Sequence, residues 1–340
     1  VASTPSAVAT SSIPDAGTAS TVGTSVEAAG SDLVWEAEDL AGPAGARYPD
    51  STVSALATTE DTAWIIGAGT STVYRLEPAS GAVTTVDTGP VGGVVDVETG
   101  ANWVWAVGGG EWLHRIEPDG PYIAETIEVE EGFAMTATDT ALWVVSDMGS
   151  TLTRVDPTTG EVADVIPFDG VRYYFEPSVA ATDTAVWLTD LVYEEGASVV
   201  RVDVATGRTD VVLTTPDLVP AAVVTTDAAV WVLFDGELIH LDPMTGERAR
   251  AWPATTRALS EDHLAGVVGI VATDEGVWFG DADGNISLVD PVTEEIVDTI
   301  EVGLPTSLRL LGATANALWL VDQGSGDGPP EYVLTRIDIE

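Results

Sequence analysis

Three histidines, His114, His240 and His263, stand against 55 Asp and Glu residues in this chain of 340. His263 lies in RALSEDHLAG, residues 257–266, beside Glu261 and Asp262. An imidazole flanked by carboxylates can serve as a general base or hold a divalent ion. A plain acidic loop would have the same composition, and both readings stand. The segment PFDGVRYYFEPSVA, residues 167–180, gathers Arg172, Tyr173, Tyr174, Phe175 and Glu176 in a chain with only 7% aromatic residues. Tyr and Arg are favoured at binding hot spots. Arg172 and Arg257 also stand outside any repeated pattern. With Glu131 and Phe133 in EVEEGFAM and Asp217 in TTPDLVP, these residues form the expected binding surface: Phe133, Arg172, Tyr173, Tyr174, Glu176, Asp217, Arg257 and His263. The plainer alternative is a polar rim in which Tyr174 or Phe175 plugs a channel.

Asp281-Ala-Asp283-Gly-Asn285 resembles a fragment of a calcium loop, although a full site needs a longer ligand series ending in a bidentate Glu. A glycine turn also explains it. The metal candidates are Glu131, Glu176, Glu261, His263, Asp281 and Asp283, and Ca2+ or Mg2+ is the ion they would take. Glu261 and His263 are the candidates for catalysis. No nucleophile elbow, phosphate loop, zinc-protease helix or dinucleotide fingerprint occurs. Cysteine is absent, which excludes thiol nucleophiles and thiolate metal sites.

The net charge is -43, and all 12 basic residues are arginine. Such a surface repels polyanions, so anionic membrane surfaces are poor partners and no nucleic-acid partner is expected. Screening by salt should relieve the repulsion, which suits a saline or halophilic setting.

The elements that would carry these residues follow from a repeat. Trp64, Trp105, Trp143, Trp187, Trp231, Trp278 and Trp319 occur at spacings of 41, 38, 44, 44, 47 and 41. Turn sequences such as TTEDTAW and ATDTALW precede them. Ten or so residues later comes a second pattern: YRLEPASG, HRIEPDG, TRVDPTTG, VRVDVATG, IHLDPMTG, SLVDPVTE and, at the end, TRIDIE. Asp, Pro and Gly there mark a tight hairpin. Short β-branched runs fill the intervals, and no segment has a capped helical period. Each unit reads as four strands, and seven units predict an all-β, seven-bladed propeller of four-stranded antiparallel blades. The last unit lacks its outer strand, which DLVWEAEDL, residues 32–40, can supply, so that both ends of the chain close one blade. The repeated Trp is expected in the core. Trp103, Trp112 and Trp252 are off register and expected at the surface or rim. His240 fills a slot held by Arg75, Arg115, Arg154, Arg201 and Arg336, which predicts a structural role and inter-blade pairing with the repeated acids. His114 is expected to be exposed at a blade edge.

Residues 1–31 are rich in Ser, Thr, Ala, Gly and Pro, and read as a flexible tether ahead of a single domain, 32–340. A tether of this kind suits export, with extracellular, cell-surface or periplasmic residence, a processed lipoprotein, and a membrane anchor upstream of residue 1. No apolar run is long enough to cross a bilayer as a helix. A monomer is expected.

The blade resembles bacterial propellers of the YVTN or YncE-like type, and distantly the virginiamycin B lyase group. The resemblance rests on the turn before VW, LW or AW and on the R-[IVL]-[DE]-P-x-[TS]-G turn, and it covers residues 32–340. The lyase group implies histidine, glutamate and magnesium at the central mouth, with His early in the inner strand. The comparable segments here, EVGLPTSLRL and LVPAAVV, contain no His. The expected function is therefore an exported, non-enzymatic binding or scaffold propeller, recognising a protein, peptide or small molecule through the connections between blades. A metal-assisted lyase or hydrolase at the mouth, and an extracytoplasmic sensor, are the alternatives.

Overall fold

A computed structural model describes residues 32–36 and 53–339, except for parts of the connections, the longest being 169–177, 216–221, 255–268, 302–307 and 324–330. Among the described residues every regular element is a strand, and these form seven four-stranded antiparallel sheets. Blades 1 to 6 each use four consecutive strands. The seventh pairs Leu308–Thr314, Ala317–Gln323 and Glu331–Asp338 with the N-terminal strand Asp32–Glu36 as its outer strand. The expected closure is thus present, and the inner strand of blade 7 meets the inner strand of blade 1, Val53–Thr58. A closed ring leaves no terminal blade with an apolar face open to water.

The repeated Trp explains how one sequence unit becomes one wedge. Each sits on the second strand of its blade and faces the following blade: Trp64 joins the core between blades 1 and 2, Trp143 that between blades 3 and 4, and Trp231 that between blades 5 and 6. Six of the seven rank among the largest fully buried side chains. A wide, flat ring fills the space between two diverging sheets with few voids. The second strands are buried almost throughout, as in Leu142–Ser146 and Val230–Phe234. The outer strands are mostly exposed and insert one large residue, such as Val86, Ile127 or Ile300.

Directly opposite six of the seven Trp residues, on the third strand, is the repeated basic slot, as in Trp64 opposite Arg75 and Trp231 opposite His240; blade 6 has Leu288 there. The guanidinium lies over the indole face, 5.8 Å from its centre for Arg75 and 5.6 Å for Arg336. It then reaches the next blade through a main-chain carbonyl: Arg75 Nε donates to Pro118 O at 3.0 Å and Arg115 to Thr158 O at 3.2 Å. The expected inter-blade pairing with repeated acids is corrected here for arginine. Arg75, Arg201 and Arg336 pair with Glu77, Asp203 and Asp338 on their own strands, because residues two apart share one face of a strand. Among the described residues of this slot, His240 is the one that bonds an acid of the next blade, Glu294.

Two surface expectations are also corrected. Trp252 is buried, because it packs against Trp231 at 5.5 Å in the outer strand of blade 5. His114 is half-buried and bonds Thr126 on the neighbouring outer strand, and desolvation lowers its pKa. Trp103 is half-buried under the Arg115 guanidinium at 4.3 Å, and Trp112 is exposed as expected.

Candidate functional site

The inner strand of a blade has a paired edge toward its own second strand and an open edge toward the axis. Along that open edge alternate N–H and C=O groups have no sheet partner and need side chains or solvent. Short polar residues supply part of this. Thr58, Thr99 and Thr225 occupy one repeat position, six residues before the Trp. Their hydroxyls donate to the carbonyls of Ala313, Thr58 and Ala181 on the preceding blade. In the same manner Ser178 Oγ accepts from Val223 N–H at 3.0 Å, which joins blade 4 to blade 5.

Between blades 2 and 3 carboxyl groups take over this task. Asp96 and Glu98 lie two apart on the inner strand Val94–Gly100, both half-buried. Asp96 Oδ2 accepts from Met135 N–H of blade 3 at 2.7 Å, and its Oδ1 from Val97 N–H at 2.8 Å. Glu98 is held by the main-chain amides of Ala137 and Thr99. Desolvation outweighs those bonds, and the Glu98 pKa is pushed up to about 7. Burial disfavours the charged form by more than two amide dipoles stabilise it. A carboxyl that titrates near neutrality can give or take a proton at working pH.

Sequence reasoning passed over Glu98, although the repeat carries a signal for it. The slot seven residues before each Trp holds Ala57, Glu98, Thr136, Ala180, Val224, Val271 and Gly312. Glu98 is its one ionisable occupant, and it lies directly across from Trp105.

Of the expected binding and metal residues, two fall within the described structure, and both belong to blade 3 beside this seam. Glu131 is exposed, just ahead of the inner strand Gly132–Ala137. Phe133 is half-buried at the β-bulge that opens that strand, where the register skips between Gly132 and Ala134. The bulge lets Phe133 leave the alternation of its neighbours. Arg172, Tyr173, Tyr174, Phe175, Glu176, Asp217, Arg257, Glu261, His263, Asp281 and Asp283 lie outside the described residues. Among the described residues no three His, Asp or Glu side chains are grouped to hold a metal. The hydrogen bonds of His114 and His240 go to Thr126 and Glu294, not to the Asp96–Glu98 seam.

No protein-family model matches the chain, and no curated protein sequence is similar to it. In three dimensions it resembles BamB from Moraxella catarrhalis, with 14% identity, a TM-score of 0.49, and coverage of 85% of this chain and 86% of the other. It also resembles the computationally designed Ika8 protein, with 14% identity, a TM-score of 0.50, and coverage of 85% and 96%. So low an identity speaks to fold alone, and this fold hosts many unrelated functions. The chain is a seven-bladed β-propeller, with the Asp96 and Glu98 carboxyl groups set between the inner strands of blades 2 and 3.

Proposed function

We propose that the chain is an exported binding or scaffold propeller of the YVTN or YncE-like type, recognising a protein, peptide or small molecule. The observation that carries this reading is the uniform strand order of the closed ring. Every outer strand ends, and every following inner strand begins, at the same rim. The described strand ends that flank 169–177, 216–221 and 255–268 are therefore gathered on one side of the ring. Those intervals hold the aromatic and basic side chains that break the repeat, Arg172, Tyr173, Tyr174 and Arg257 together with Glu176, Asp217 and His263. A rigid ring with variable connections suits recognition, since the scaffold has already lost the entropy that binding would otherwise cost. Among the described residues no helix is long and apolar enough to cross a membrane. Extracytoplasmic residence, with a tether formed by residues 1–31, belongs to the proposal.

The test is site-specific photo-crosslinking. A photoreactive residue at Tyr173 should capture one discrete partner from an extracytoplasmic fraction, and the same residue at the exposed Val211 on an outer strand should not. Capture that is equal at both positions, or that survives Arg172→Ala with Tyr174→Ala, overturns the reading.

Glu98 favours a second reading, an enzyme of the lyase or hydrolase class whose general acid or base lies on the channel wall. Ca2+ or Mg2+ would assist it through Glu131, Glu176, Glu261 and His263, with Asp281 and Asp283 as a separate weak site. Thermal unfolding in Ca2+ or Mg2+ against NaCl of equal ionic strength tests the metal. A saturable rise in melting temperature beyond that given by salt supports it, and superimposable curves reject it.

A further inference from the structure

Two departures from the repeat meet at one seam. His240 is the histidine in a slot that five other blades fill with arginine. Glu294 ends the turn DPVTE of blade 6, where blades 3, 4 and 5 have Gly160, Gly207 and Gly246. Those glycines adopt φ of 76°, 70° and 73°, and Glu294 adopts 55°. A side chain in the left-handed region is disfavoured relative to glycine. At the other blades the turn also lies close against the preceding blade: a Cβ on Gly246 would stand 2.5 Å from Val212 Cγ1, and one on Gly160 2.7 Å from Glu125 Oε2. Glu294 thus fills a place built for glycine. Its carboxylate reaches back to blade 5, accepting from His240 Nδ1 at 2.9 Å and lying 3.7 Å from Arg250 Nη1.

We infer that His240 and Glu294 form a pH-sensitive latch across the seam between blades 5 and 6. The imidazole stacks on Trp231 with centres 4.7 Å apart and planes 13° apart, so the ring is held edge-on to Glu294. Neutral imidazole can donate through Nδ1–H. Imidazolium donates the same bond with charge assistance, which roughly doubles its strength. An imidazole changes charge between about pH 5 and 8. The groups facing His240 are few. Its own turn presents Asp242, whose carboxylate is lowered first by the Thr245 and Met244 amides and least by His240 itself. The outer strand presents Arg250, directly across from His240, and Trp252. The second strand presents Trp231, and blade 6 presents Glu294. Arg250 brings positive charge to this neighbourhood, and Asp242 and Glu294 bring negative charge. The arginine of the other blades cannot respond in this range, because it stays charged.

Hydrogen exchange at the seam is the test, read as protection factors from pH 8 to pH 5.5. In the latch turn the Glu294 amide bonds Asp290 O and the Asp290 amide bonds Glu295 O; the blade 4 counterparts are Gly207 to Asp203 O and Asp203 to Arg208 O. Protection of Asp290 and Glu294 should rise about fivefold relative to the blade 4 amides as pH falls. His240→Arg, which restores the residue of the other blades, should abolish the rise, as should Glu294→Gln, which keeps the side chain without its charge. An equal change at both turns, or a rise that survives either substitution, overturns the latch.

Discussion

The aspartates of the hairpin rim and Glu98 on the inner strand of blade 2 are shifted in opposite directions by the same two forces. Asp156, Asp203, Asp242 and Asp290 begin the hairpins that join third to outer strands. Each accepts hydrogen bonds from within its own turn, as Asp156 Oδ1 does from Thr158 and Thr159 N–H at 2.8 and 3.0 Å. Their pKa values are lowered, chiefly by these bonds: Thr159 for Asp156, the Thr206 hydroxyl for Asp203, Thr245 for Asp242 and Thr293 for Asp290. Glu98 also accepts two main-chain amides, yet its pKa rises to about 7. The turns are solvated, and Glu98 is largely covered by blade 3. Hydrogen bonding dominates where water still reaches the charge, and desolvation dominates where a neighbouring blade covers it. The rim carboxylates close their own turns, and among the carboxyl groups whose pKa is shifted Glu98 is the one raised toward neutrality.

The geometric side of the contrast has the largest expected effect. Gly207 combines φ of 70° with a position where a Cβ would collide with Pro167 O. Gly207→Val should cost about 3 kcal/mol or more, read as a fall in the urea midpoint, because a β-branched residue adds a clash to the left-handed strain. A loss under about 1 kcal/mol would show that the turn can shift off its neighbour. Next comes Glu98→Gln. With its folded pKa above the ordinary value of 4.5, Glu98 contributes stability that is complete below about pH 4.5 and is lost as pH rises through about 7. The loss is at most about 3 kcal/mol, less for the partial solvent contact of the side chain. Denaturant curves at pH 4.5 and pH 8 should differ less for Glu98→Gln than for the parent chain, with the variant the more stable at pH 8. Parallel behaviour of the two chains would remove Glu98 from the pH response and weaken the enzyme reading.

The smallest effect belongs to the rim. Because the Asp242 pKa is lowered from 3.8, its contribution is present above about pH 3.8 and is lost as pH falls through the lowered value. Asp242→Asn should destabilise slightly at pH 7, and the difference from the parent should shrink as pH falls below about 3.8. A difference that persists in acid would mean that the turn depends on side-chain shape and not on charge.

The repeat was legible in sequence because its signals are local. A Trp on a β-branched run and an Asp-Pro-x-x-Gly hairpin each need only a few neighbouring residues, and both recur at nearly constant spacing. Even the closing strand followed from counting, since one unit was a strand short and one apolar segment was left over. Trp252 and His114 were misread because their burial is set by partners on other strands. Trp252 sits in an outer strand whose other residues are mostly exposed, and only its contact with Trp231 marks it as core. Asp96 and Glu98 were hidden among 55 acidic residues until the inner strand of blade 3 was placed beside them.

What the sequence determined by itself is the number of blades, the four strands in each, the shared edge of first and last strand, and the tryptophan core. These follow from periodicity and turn chemistry, which act over a few residues. The tertiary structure decided which carboxyl keeps its proton near neutrality and which histidine meets an acid of the next blade. Both depend on surfaces brought together from residues some 40 or 50 positions apart, where burial and distance set the electrostatics.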